Sequence, residues 1–136
     1  MKAITTYLNF DGTTKEAMTF YAKCLEAELQ LMPFSDMPGD HPKGAEERIM
    51  HARLTKGSAE IMASDIMPGM PFHPGNNFAI SVHCESLEEI QKVFGALSDG
   101  GQVTMPLQDT FWGAHFGMLK DKFGTQWMFN FEKPKA

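Results

Sequence analysis

Apolar and polar positions alternate from Ile4 to Phe10, with Thr6, Leu8 and Phe10 on one side and Thr5, Tyr7 and Asn9 on the other, the period-two signature of a half-buried strand. Asp11-Gly12 ends it. Thr13 or Thr14 is the expected N-cap of a helix through Lys15 to Leu25, where Ala17, Phe20, Tyr21, Cys24 and Leu25 recur at helical spacing. A strand from Ala27 to Phe34 follows, then a proline- and glycine-rich loop from Ser35 to Gly44 and a hairpin over residues 47–65. This is a βαβββ order.

The order then repeats. Beyond the loop Asp65 to Asn76, Phe78 to His83 alternates as a strand, and Ser86-Leu87-Glu88-Glu89 has the form of a capping box opening a helix with Ile90, Val93, Phe94 and Leu97 on one face. Gly100-Gly101 stops that helix. Gln102 to Leu107 supplies a strand, and residues 111–131 read as a hairpin closed by the tight turn Asp121-Lys122-Phe123-Gly124. A fainter copy of this hairpin lies in Arg48 to Met62, with a turn at Gly57 and a methionine at the corresponding place. The chain is therefore expected to be one α+β domain of two modules, 1–66 and 76–136, joined by a linker at 67–75, with a ligand site between the copies.

Composition narrows the function. The chain has 136 residues, 43% hydrophobic and 11% aromatic, enough for a real core. A formal net charge of −5 and no basic cluster argue against nucleic acid and anionic membranes as partners. Cys24 and Cys84 have no CxxC spacing, so reduced, partly buried thiols are expected. Met1 to Tyr7 enters a strand pattern without a signal-peptide core, and no apolar run reaches bilayer length; a soluble, cytoplasmic protein is expected.

Alternation also separates two sheet faces. Leu8 and Phe10, Ile61 and Ala63, Phe78, Ile80 and Val82, and Trp127, Phe129 and Phe131 make apolar faces for the two helices to cover. The opposite faces carry Thr5, Tyr7 and Asn9; Glu60, Met62 and Ser64; Asn77, Ala79, Ser81 and His83; and Gln126, Met128 and Asn130. A curled sheet would make this mixed set the lining of a cup, whereas a flat one-sided sheet would simply show it to solvent. The set contains no Arg or Lys, which argues against a phosphonate ligand.

Tyr7-Leu8-Asn9-Phe10-Asp11-Gly12, Glu16-Ala17-Met18 with Phe20-Tyr21, Met62-Ala63-Ser64-Asp65, Gly101 to Leu107, Phe111-Trp112, and Asp121 to Gly124 with Trp127 together resemble the PhnB-like branch of the vicinal oxygen chelate superfamily, the glyoxalase and bleomycin-resistance fold. The resemblance spans nearly the whole chain. It implies paired βαβββ modules with curved mixed sheets, a cup-shaped site and a homodimer. It also implies, for the enzymes of the superfamily, a divalent metal held by His and Glu near the positions of Thr5, Met62, Asn77 and Met128. Those residues do not suit such an ion, so no metal and no cofactor is expected. Glu60 and His83 share the predicted faces, each about 7 Å along the strand from the implied position.

Other chemical signals stay local. His41 and His73 sit in loops, and His51, His83 and His115 lack HxH or HExxH spacing. His51, mid-strand, and Glu60 are the catalytic candidates, His51 as general base or ligand anchor. Trp112 and Phe116 could stack on a flat ligand, or plug the core or a dimer interface. Ser64-Asp65 and His51 lack the context of a hydrolytic triad. Some PhnB-like sequences carry a demethylubiquinone methyltransferase label, but no glycine-rich loop of a Rossmann-type unit is present to hold a nucleotide-derived methyl donor.

The expected function is a small-molecule binding or sequestering protein without metal, its ligand contacted by Tyr7, Asn9, Met62, Ser64, Asn77, Ser81, Trp112, Gln126, Met128 and Asn130. The rival is a lyase, isomerase or dioxygenase with a displaced site built on His51, His83 or Glu60. A third reading is an interaction scaffold without a ligand.

Overall fold

A computed structural model describes residues 1–40 and 43–134. Along them run β1 (Thr6–Phe10), α1 (Thr14–Leu25), β2 (Glu28–Pro33), β3 (Ile49–Lys56), β4 (Ala59–Asp65), β5 (Ile80–His83), α2 (Leu87–Ser98), β6 (Gln102–Asp109), β7 (Ala114–Lys120) and β8 (Gln126–Glu132). This is the duplicated βαβββ order of an α+β fold. His41, in the expected Ser35–Gly44 loop, lies outside the described residues.

Two compact units divide the chain, Met1–His73 and Pro74–Ala136. Each has one mixed four-stranded sheet, in the order β1-β4-β3-β2 or β5-β8-β7-β6. The first strand of each module pairs in parallel with its last, and the other pairs are antiparallel. In the first unit α1 buries Thr14, Ala17, Met18, Tyr21 and Cys24 at helical spacing, against a sheet face of Ala52, Leu54, Ile61 and Ala63. In the second α2 buries the expected Ile90, Val93, Phe94 and Leu97 over Leu119, Trp127 and Phe129, with the Phe94 and Phe129 rings edge to face at 5.4 Å. Each such large apolar side chain contributes about 1.5–3 kcal/mol of burial.

The expected capping box forms with its return bond one residue early. Ser86 Oγ accepts from Glu89 N at 3.0 Å, and Glu89 Oε1 reaches back to the N–H of Glu85 at 2.8 Å. At α1 the expectation needs correction: Thr13 is the N-cap but its side chain makes no capping bond. A strand carboxylate takes over that role. Asp65 Oδ1 accepts from Gly12 N at 2.9 Å, Thr14 N at 3.1 Å and the Thr14 hydroxyl at 2.8 Å. Asp65 Oδ2 accepts from Ile49 N at 2.8 Å. Ile49 arrives there through a bulge, since β2 partners step from His51 to Ile49 between Met32 and Pro33, leaving Met50 as the extra residue. Nearby, Arg48 bonds Asp11 at 2.8 Å and the Ile66 carbonyl at 3.0 Å.

Four strand expectations are also corrected. β1 starts at Thr6 and β5 at Ile80, so Ile4, Thr5, Asn77, Phe78 and Ala79 lie outside the ladders, and Phe78 is 82% exposed rather than core. β6 runs on to Asp109, and Phe111-Trp112 falls in the turn before β7 rather than in a strand.

Candidate functional site

Opposite the helices, each sheet presents an open face, and the strand registers state which residues share it. In the first unit the central row across the strands is Tyr7, Met62, Arg53 and Gln30. In the second the corresponding row is Ser81, Met128, Met118 and Met105. Directly opposed residues point to the same side of a sheet, so each row is one line of side chains. Asn9 pairs with Ser64 in the next row of the first unit, and His83, Asn130, Phe116 and Gln108 form the next row of the second.

Polar contacts organise the first face. The Tyr7 hydroxyl and His51 Nδ1 share a hydrogen bond of 3.3 Å, their rings tilted with centroids 5.9 Å apart. The Ser64 hydroxyl donates to Asn9 Oδ1 at 3.3 Å. Arg53 clamps one oxygen of Glu60, its Nε at 2.8 Å and its Nη2 at 2.5 Å. The catalytic candidate Glu60 is therefore held in an ion pair, while His51 has a phenol as partner. On the second face Ser81 Oγ and His83 Nε2 lie 3.4 Å apart. Gln126 and Lys120 share a register at its end.

Among the expected ligand contacts, the ladders bring Tyr7, Asn9, Met62 and Ser64 together on the first face and Ser81, Gln126, Met128 and Asn130 on the second. Asn77 is exposed outside β5. Trp112 is 60% exposed, which removes it from the core of its unit, and its ring meets Phe111 at 5.1 Å and Phe116 at 6.4 Å. Arg53, Met118 and Met105 were not expected on these faces. A cation does stand on the first face, contrary to the sequence expectation. The signal was present in β3, where Ala52 and Leu54 are buried and His51, Arg53 and Thr55 alternate with them.

The positions implied for a divalent metal do not fit one. Thr5 and Asn77 are outside the strands, and the register neighbours of Met62 and Met128 are Tyr7 and Ser81. Two thioethers with a phenol or an alcohol are not the imidazole and carboxylate donors such an ion needs. No group of three or more His, Cys, Asp or Glu among the described residues could hold one.

Away from these faces, Asp109 accepts from Lys133 Nζ at 2.6 Å and pairs with His115 Nδ1 at 2.9 Å. Hydrogen bonds from Lys133 first and His115 second hold its carboxyl below the ordinary aspartate value. The pair joins Lys133, just after β8, to the end of β6.

A family model described as 3-demethylubiquinone-9 3-methyltransferase matches residues 2–129. The chain belongs to that family. This PhnB-like chain is 34% identical over 139 residues to Protein YjdN of Escherichia coli (strain K12), covering 93% of each. The crystal structure of protein PA1353 from Pseudomonas aeruginosa aligns with a TM-score of 0.89 at 42% identity, covering 98% of this chain and 100% of that one. A PhnB protein from Bacillus cereus aligns with a TM-score of 0.75 at 32% identity, covering 96% and 99%. A glyoxylase/bleomycin resistance protein/dioxygenase domain from Frankia sp., at 14% identity and a TM-score of 0.70 over 100% and 95% of the two chains, shares the fold. The chain thus belongs to this PhnB-like family and shares the glyoxalase/bleomycin-resistance fold. None of its described helices is long and apolar enough to cross a membrane.

Proposed function

We propose that this PhnB-like protein binds or sequesters a small organic molecule through the open faces of its sheets, without a divalent metal, as a cytoplasmic homodimer. The observation that carries this reading is the pairing of a thioether with a hydroxyl at the same place in both units, Met62 beside Tyr7 and Met128 beside Ser81. Polarizable, adaptable surface with a few placed polar groups suits an organic ligand. Asn9 and Ser64 offer hydrogen bonds on the first face and Gln126 and Asn130 on the second, with Asn77 and Trp112, outside the ladders, as further contacts of the second unit. Methyl transfer, named in the family's description, does not enter this reading. The turns after β1 and β5 are Asp11-Gly12-Thr13 and Cys84-Glu85-Ser86, neither of which is a glycine-rich phosphate cradle.

Elemental analysis with native mass spectrometry, on protein purified without chelator, tests it. The expected result is a dimer mass, an organic mass retained or exchangeable, and no stoichiometric divalent ion. One tightly bound divalent ion per site, removable with loss of an activity, overturns it.

The Tyr7–His51 contact favours a second reading, an enzyme of the superfamily in which His51 moves a proton. Loss of turnover in His51→Ala with the fold intact would support it, with Glu60→Gln as the companion variant; no turnover across lyase, isomerase and dioxygenase substrates counts against it.

A further inference from the structure

We propose that the open face of the second unit holds a site for a soft monovalent cation of the Cu(I) type, made by the thioethers of Met105, Met118 and Met128. Met105 opposes Met118, and Met118 opposes Met128, so three methionines stand side by side on β6, β7 and β8. In the regular β7–β8 ladder Met118 and Met128 have Cβ atoms about 4.5–5.5 Å apart, and the unbranched side chain of Met105, with three rotatable bonds, lets its sulfur reach Met118 from the irregular β6 edge. All three side chains are half-buried, neither sealed into the core nor fully hydrated. The ladder is irregular on both sides of Met105, which locally bends β6.

Donor chemistry then selects the ion. Neutral thioethers are soft ligands that favour Cu(I)-type cations over zinc or magnesium, which want nitrogen and oxygen donors. The row ends at Ser81 and contains no carboxylate or imidazole. The matching row of the first unit has a single thioether, Met62, beside Tyr7 and Arg53, and so lacks the three sulfur donors. The site therefore belongs to one unit only; it shares Met128 with the organic-ligand reading but does not require that ligand.

The test is an NMR titration of the full chain, labelled with carbon-13 at the methionine methyls, against up to three equivalents of Ag(I), a soft monovalent ion that is redox-inert here. Three equivalents allow for the Cys24 and Cys84 thiols as competing sinks. The expected result is one concerted step in which the methyls of Met105, Met118 and Met128 shift together while that of Met32 stays, with Zn(II) shifting none. Met118→Leu, which preserves volume, should abolish the step, and Met105→Leu serves if that variant does not fold. Methyls that stay put, that move independently, that move equally with Zn(II), or that still move together in a folded leucine variant overturn the site.

Discussion

Trp127 Nε1 donates a 2.7 Å hydrogen bond to Asp121 Oδ2, and both side chains are buried. The other oxygen of Asp121 accepts from Phe123 N at 2.7 Å and Thr125 N at 3.1 Å, so one carboxylate ties the β7–β8 turn to the largest side chain of the core. Gly124, with φ of +92°, completes that turn in a conformation other residues resist.

Trp127→Phe should therefore cost more than its lost volume, because it strands a buried carboxylate oxygen worth about 1–3 kcal/mol. Urea unfolding of Trp127→Phe, Asp121→Ala and the double variant checks this. A coupling of about 1–2 kcal/mol is expected, and additive losses would show that the bond contributes nothing.

Asp65→Ala is expected to be the most damaging polar substitution in the first unit. It leaves the N–H groups of Gly12, Thr14 and Ile49 without their acceptor, a loss on the order of 3–5 kcal/mol. Thr14→Val removes only the hydroxyl bond and should cost about 1–2 kcal/mol. Equal losses in the two variants, read from thermal or denaturant midpoints, would contradict Asp65 as the acceptor that starts α1.

Two glycines near α2 should respond in opposite directions to alanine. A Cβ on Gly101 would overlap the Lys120 carbonyl oxygen and approach Asp121 Cα to 2.9 Å, so Gly101→Ala should destabilise by about 1–3 kcal/mol. Gly95, inside the helix, has open space around its Cβ position, and Gly95→Ala should stabilise by about 0.5–1 kcal/mol. Melting temperatures of the two variants decide it.

The Asp109 pair predicts an acid response. A carboxylate whose folded-state pKa lies below its unfolded value adds stability above the unfolded value and loses it as pH falls through the folded one. The wild-type advantage over Asp109→Asn should thus be present at neutral pH and fade as pH drops below 3.8. Because the pair is exposed, added salt should shrink the advantage as well. Melting curves at several acid pH values, with and without salt, test this, and an advantage that stays constant through the acid range would contradict it.

Local signals were legible before folding. The α2 face of Ile90, Val93, Phe94 and Leu97 emerged as expected, because helical periodicity is written within one segment. In α1 the same reasoning caught Ala17, Tyr21 and Cys24 but missed Met18 and Thr14, the latter drawn inward by a carboxylate 51 residues away. Strand ends were overestimated at Ile4 and Phe78, since an apolar side chain does not by itself fix where backbone pairing begins.

The sequence by itself determined the duplicated βαβββ order, the two helix faces and the split of Met62 and Met128 from their apolar neighbours, because periods of 2 and 3.6 act over a few residues. Tertiary structure alone decided which strands lie side by side. That choice set Arg53 beside Met62, aligned Met105, Met118 and Met128, and turned Asp65 into the anchor of α1. Cross-strand register joins positions far apart in the chain, and no local pattern of hydrophobic and polar residues carries that information.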